Sequence, residues 1–221
     1  MRIRITFAKQ GALRYTGQLD LHKLWERAAR RAELPLAYSQ GFHPQPKINI
    51  AAALPLGFSS RCEVMDMKLE RVIPLKGLRE KLQGTLPTGI QVLNVESADE
   101  HTPALQTQVA AAEYEVTLTE SIDGSELKRK VDSVLESESI IRERRGKKYD
   151  LRPLIESLTL TPSLTPAERS DSGSEAGGGE KILMRLAARE GATGRPEEVL
   201  DVLGIAFEET RIERTRLIFH S

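Results

Sequence analysis

An α+β fold, built twice along the chain as an antiparallel sheet with helices on one face, is predicted by three observations. Apolar residues switch repeatedly between a period of two and a period near 3.6. The order of those switches spells βαββαβ and then recurs in the second half of the 221 residues. A length of 221 residues also suits two small domains better than one, at roughly 100 to 200 residues per domain.

Residues 2–8 (RIRITFA) set Ile3, Ile5 and Phe7 on one side and Arg2, Arg4 and Thr6 on the other, the alternation of a half-buried strand. Residues 18–33 change period: Leu21, Leu24, Trp25, Ala28 and Ala32 share one helical face, and Pro35 stops the helix. Residues 47–53 and 63–69 (EVMDMKL) read as a hairpin, with Pro55 and Gly57 marking the turn between them. Residues 74–83 carry Leu75, Leu78 and Leu82 at helical spacing behind a proline, and residues 89–96 (GIQVLNVE) alternate again.

The second half repeats this order. Residues 112–119 (AEYEVTLT) alternate, residues 123–135 place Leu127, Val131 and Val134 on one face, and strands are expected over residues 140–144, 154–161 and 181–189. A helix over residues 196–203 and a strand over residues 211–219 complete it. The βαββαβ order is that of the split βαβ, or ferredoxin-like, sandwich. The expectation is two tandem ferredoxin-like units with antiparallel sheets: residues 1–97, and an elaborated unit over residues 98–221. Residues 162–180 (PSLTPAERSDSGSEAGGGE) form a low-complexity stretch, read as a disordered loop between two strands.

Composition narrows the function. Apolar residues are 39% and charged residues 29%, with 32 basic against 32 acidic side chains, which excludes a charge-biased disordered tail and fits a soluble globular chain. The start, MRIRITFAKQG, interleaves charge where a signal peptide would be continuously apolar, and no apolar run is long enough to span a bilayer, so a cytoplasmic protein with no membrane partner is expected. With one cysteine, Cys62, the chain alone builds no disulfide and no cysteine-ligated zinc or iron–sulfur site. No cofactor and no metal are expected to be held by it.

The zero net charge hides an asymmetry. Residues 1–48 hold nine basic against three acidic side chains, whereas residues 93–138 hold three against eleven. At about 100° per residue, Lys23, Arg27, Arg30 and Arg31 gather with Asp20 opposite the Leu/Trp/Ala face of the first helix. A second basic run, residues 142–148 (RERRGKK), adjoins Tyr149, Asp150 and Arg152. Arginines along a groove suit a phosphate backbone, because each guanidinium fork donates two hydrogen bonds and binding releases counterions. A solvated helix face accounts for the same charges.

The densest polar chemistry is YSQGFHPQPK, residues 38–47, which concentrates Ser39, Gln40, His43, Gln45 and Lys47 around one aromatic, Phe42. Gly41 allows a positive φ, and Pro44 and Pro46 stiffen the rest of the loop. Such a loop can offer Phe42 for base stacking and His43 and Lys47 for phosphate or acid–base work. It serves equally as a plain connector. Asp20, Asp66 and Arg152 are further polar-site candidates, although no spacing among them secures a dyad or triad.

These motifs together resemble a family. The run from YTGQLDLHKLWERAARRAELPLAYSQGFHPQPK through LPLGF, the LPTGIQVL stretch, KYDLRPLI, GRPEEVLDVL and the closing RTRL is similar to the radical-SAM-linked (radical SAM-associated) proteins, a bacterial family of uncharacterised function. The resemblance covers most of the chain. Where such proteins often carry a histidine before the Leu-Asp pair, this chain has Gly17 and Gln18, so no metal role is carried over to that position. The resemblance implies association with a radical SAM protein and with RNA metabolism, tRNA or rRNA among the partners, without an assigned activity. At the level of fold alone, the tandem reading resembles repeat-associated RNA nucleases and pseudouridine synthases.

Three functions stay open. The first is a non-enzymatic RNA-binding or substrate-docking module that acts with a radical SAM partner enzyme, with Lys23, Arg27, Arg30, Arg31, Ser39, Gln40, Phe42, His43 and Lys47 as the binding residues. The second is an RNA-acting enzyme in its own right that uses Asp20, His43 or Asp66. The third is a protein-interaction scaffold without nucleic acid.

Overall fold

The computed structural model describes residues 1–120, 122–161 and 180–220 of a mixed α+β chain. The expected loop over residues 162–180 lies outside the described residues except for Glu180. The chain divides into two compact units: Met1–Ala110 together with Arg214–Ser221, and Ala111–Glu213. Residues 98–110 and the C-terminal residues from Arg214 onward thus group with the first unit. Among the described residues no helix is long and apolar enough to cross a membrane.

In the first unit, β1 (Arg2–Lys9) leads through a short 3₁₀ turn to α1 (Gln18–Arg31), then β2 (Ile48–Ile50), β3 (Ser59–Lys68), α2 (Leu78–Gln83) and β4 (Ile90–Ala98). All pairings are antiparallel, in the order β4-β1-β3-β2. Register explains the alternation. Ile3 faces Met67 and Ile5 faces Met65, with Ile48 and Ile50 opposite the same two methionines. All six are buried beneath α1, whose Leu21, Trp25, Ala28 and Ala29 complete the core. Phe7 meets Trp25 edge-on, ring centroids 4.8 Å apart. His22 Nε2 donates to Ile48 O across 2.9 Å and pins α1 to β2.

The opposite face of this sheet carries Arg2, Arg4 and Asp66, and a crossing segment covers it. Arg2 donates to the carbonyls of Asp99 (3.3 Å), Thr102 (3.0 Å) and Pro103 (3.3 Å), holding that segment down, while Leu105 just beyond is fully buried. Where β1 ends, Gln10 N–H donates to Gly89 O across 2.7 Å. Gly89 has φ of 100°, and a Cβ there would lie 2.7 Å from Gln10 O, so only glycine fits.

Several boundaries differ from expectation for local reasons. The helix expected over residues 18–33 ends at Arg31, because Glu33 takes a left-handed φ of 52° before Pro35 is reached. The helix expected over residues 74–83 starts only at Leu78, after Gly77 with φ of 76°. The first hairpin strand, expected over residues 47–53, is only three residues long, and its partner begins earlier, at Ser59, because Ser60 continues the ladder opposite Lys9.

The second unit contains β5 (Val109–Leu118), most of which belongs to it, α3 (Gly124–Glu136), β6 (Ile141–Arg144), β7 (Lys147–Asp150), β8 (Ile155–Thr161), β9 (Lys181–Arg189), β10 (Ala192–Thr193), α4 (Pro196–Leu203) and the start of β11 (Thr210–Phe219). β9 pairs antiparallel with β5 on one side and β8 on the other, and β11 runs beside β5. α3 starts where Asp123, as N-cap, accepts from Glu126 N–H at 2.8 Å. It buries Leu127, Val131 and Val134, and α4 buries Val199, Leu200 and Leu203. The strand expected over residues 140–144 does not join this sheet. It is half of a separate hairpin, β6 with β7, closed by Arg145 and Gly146, both at positive φ.

Candidate nucleic-acid interface

The amphipathicity of α1 sets the geometry. Because its apolar stripe is buried against the sheet, Lys23, Arg27 and Arg31, at four-residue steps, point outward in one row, and all are exposed. Together with Arg30 they make no ion pair and no side-chain hydrogen bond among the described residues. The row forms one wall of a groove of about 540 Å³, and the turn after α2 (Gly84 to Pro87) forms the other. Thr85 Oγ1 holds that turn against α1 by donating to the carbonyls of Leu82 (2.8 Å) and Ala28 (3.2 Å). Leu24, Leu86 and Pro87 add an apolar surface, and Asp20 stands in the same groove, one turn before Lys23. Three unpaired cations and one carboxylate leave the groove positive, which suits a polyanion.

Arg30 is not in this groove. It lies near Tyr38, whose hydroxyl donates to Glu26 Oε1 at 3.2 Å; burial first, and the Glu26 carboxylate second, hold the Tyr38 phenol above its usual range while Arg30 opposes them.

The loop over residues 39–47 is tied at its neck. Ser39 N–H donates to Gln45 O (2.8 Å), Gln45 N–H to Ser39 Oγ (2.9 Å), and Lys47 N–H to Ala37 O (2.8 Å). The tip is left outside, with Gln40, Phe42 and His43 all exposed and Phe42 fully so at 102%. Ser39 and Lys47 line a second groove, of about 350 Å³, with Gln45, Asn49 and Lys68. The expected binding residues therefore divide: Lys23, Arg27 and Arg31 line one groove, Ser39 and Lys47 another, and Arg30, Gln40, Phe42 and His43 neither.

The three polar-site candidates do not come together. Asp66, only 2% exposed, is enclosed on the sheet face away from α1, where Arg2 Nε (2.8 Å) and Arg4 Nε (2.8 Å) both donate to it. Its hydrogen bond raises the Arg4 pKa above the usual range. Arg152 belongs to the second unit, where it donates to Leu135 O (2.8 Å), closing the end of α3, and to Ile155 O (3.2 Å). Asp20 alone of the three meets solvent in a groove. Among the described residues no three His, Cys, Asp or Glu side chains gather as a metal site would require.

The basic run over residues 142–148 is held internally. Arg142 pairs with Asp201, and Arg144 with Glu198 at 2.6 Å while lying over the Tyr149 ring, so these guanidinium groups serve to dock the hairpin on α4. Sequence reasoning missed a buried charged cluster in the first unit: Lys9, Glu63 and Arg214 are each no more than 1% exposed. Glu63 and Arg214 lie 151 positions apart, and no local pattern signals such a pairing.

No curated protein matches the chain. Among solved structures, one chain of a crystal structure of a Cbf5-Nop10-Gar1 complex is similar at 10% identity with a TM-score of 0.46, over 97% of this chain and 48% of that chain. This chain thus spans about half the length of that one. The model of a family described as an uncharacterized protein conserved in bacteria, DUF2344, matches residues 2–196, and the chain belongs to that family.

Proposed function

We propose that this chain is a non-enzymatic, RNA-binding substrate-docking module that presents a single RNA strand to a radical SAM partner enzyme. The observation that carries the RNA reading is the row Lys23, Arg27, Arg31: three exposed cations that make no ion pair among the described residues, along one wall of a groove of about 540 Å³. Steps of four residues along a helix advance about 6 Å, close to the span of one nucleotide. The partner rests on the motif resemblance.

The fold proposed for the module is a tandem of ferredoxin-like units. The strand order β4-β1-β3-β2 and the corresponding β11-β5-β9-β8 support it, since both follow the order of a split βαβ sandwich.

The test is fluorescence anisotropy of a labelled single-stranded RNA over a salt series. Binding should weaken steeply with salt, and changing Arg27 and Arg31 together to Ala should flatten the slope of log K against log salt by roughly 1 to 2. No binding at low salt would overturn the RNA reading, and turnover of the RNA by the chain alone would overturn the non-enzymatic part. A tagged chain should retain a radical SAM enzyme, identified by mass spectrometry; its absence from the eluate would remove the partner from the proposal.

A further inference from the structure

Building on the RNA-binding reading of the same groove, we infer that Asp20 makes the α1 groove selective for ribose over deoxyribose, its carboxylate accepting a hydrogen bond from a 2′-hydroxyl. A carboxylate in a phosphate-binding groove repels the ligand's phosphates, so phosphate binding alone gives Asp20 no role. Yet Asp20 lines the groove together with Lys23, Arg27 and Arg31.

Asp20 lies in the first turn of α1, where the helix dipole favours a carboxylate, but no hydrogen bond of the helix holds it. From the third helical position a carboxylate can reach back to the backbone N–H at the N-cap, here Gly17. Asp20 does not, and among the described residues it accepts no hydrogen bond and makes no ion pair, even with Lys23 one turn away. Both oxygens stay available in the groove.

A carboxylate is an acceptor only, so it selects a ligand group that donates. Along a nucleic-acid strand the donor that recurs beside every phosphate is the 2′-hydroxyl, and it is the group that separates RNA from DNA. Position agrees with this role. Asp20 precedes Lys23 by three residues, a rise of about 4.5 Å, less than the four-residue interval between the cations. It therefore falls beside the row of phosphate contacts and out of step with it, as a sugar contact must. Leu24, Leu86 and Pro87 supply an apolar surface against which a sugar or base face can lie.

The experiment compares oligouridylate, its deoxy counterpart and its 2′-O-methyl form by anisotropy at low salt; uracil has no exocyclic amine, so the sugar is the only donor that changes. The wild type should bind the ribo form about tenfold more tightly than the deoxy form, the scale of one hydrogen bond to a charged acceptor. The 2′-O-methyl form, which has lost the donor hydrogen, should bind like the deoxy form. In Asp20→Ala the ribo preference should fall to about twofold or less, with deoxy binding unchanged or tighter once the repulsion is gone. Asp20→Asn, which keeps an acceptor, should retain part of the preference. Equal binding of ribo and deoxy forms by the wild type, still dependent on Arg27 and Arg31, would overturn this inference alone. A preference that survives in Asp20→Ala would also overturn it, whereas no binding of any form would overturn the RNA reading itself.

Discussion

Arg214 and Glu63 form a fully enclosed ion pair in the first unit, with Nη1 donating to Oε1 at 3.0 Å and to Oε2 at 3.3 Å and the two side chains 2% and 1% exposed. Nη1 also donates to Ala52 O (3.2 Å) and Nη2 to Ala53 O (2.6 Å), so one guanidinium ties the carboxylate on β3 and the chain after β2 to the last strand. Breaking such a pair strands a buried charge. Glu63→Ala should destabilise by about 3 to 5 kcal/mol in chemical denaturation, whereas Glu63→Leu combined with Arg214→Met should recover only part of the loss, because Lys9 then stays buried without its carboxylate. A double variant as unstable as the sum of the single ones would show that the two groups act separately.

Asp66 holds Arg2 and Arg4 together, and Arg2 holds the segment after β4. Because the two arginines are partly exposed, at 12% and 23%, the loss is smaller than for a fully enclosed pair. Asp66→Asn should lower stability by about 2 to 3 kcal/mol. Arg2→Met should leave the core intact and accelerate backbone hydrogen exchange over residues 99–105, measured by mass spectrometry; unchanged exchange there would show that Leu105 alone anchors the segment.

Lys9 makes stability depend on pH. Burial lowers its pKa; Glu63 opposes the shift and Arg214 adds to it. Its ammonium donates to Thr16 O at 2.9 Å. With the folded value below the unfolded one, the unfolded chain binds more protons between the two values, so this residue's contribution to stability rises as pH climbs through the folded value towards the ordinary lysine range. Denaturation midpoints measured from about pH 7 to about pH 10 should therefore improve relative to a Lys9→Met variant, which lacks the dependence. Parallel curves for the two proteins would place the titration elsewhere.

Phe42 is exposed on a loop with a tied neck, so its removal should not alter folding. Phe42→Ala should leave the melting temperature within a degree or so, as for other exposed sites away from the core. If a base stacks on it, RNA affinity should fall by about 1 to 3 kcal/mol with the salt slope unchanged, the reverse of the signature of the Arg27 and Arg31 substitutions. Unaltered affinity would confine the RNA to the α1 groove.

Legibility tracks the range of the interactions. Strands β1 and β9 and helices α1 and α4 are readable because each has one strongly apolar face, and that alternation is a local property. The ends of α1 and α2 are not, since Glu33 and Gly77 take left-handed backbone angles that the apolar spacing does not encode. Lys23, Arg27 and Arg31 are legible as one exposed row, because helix geometry alone predicts it. Arg30 shares their side of the helical wheel yet stands apart beside Tyr38, and Ser39 and Lys47 face a different groove.

Hydrophobic period and helical pitch act over a few residues, so the sequence alone shows which faces are buried, where the helices and most strands run, and that Lys23, Arg27 and Arg31 share the side of α1 away from its apolar face. The tertiary structure decided what each charge does. Asp66 is locked between two arginines, Arg142 and Arg144 dock a hairpin, Glu63 finds Arg214 from 151 residues away, and Asp20 has no partner among the described residues and lines a groove. A charge takes its role from the partners and solvent within a few ångströms, and residues far apart in the chain become such neighbours only once the strands have paired.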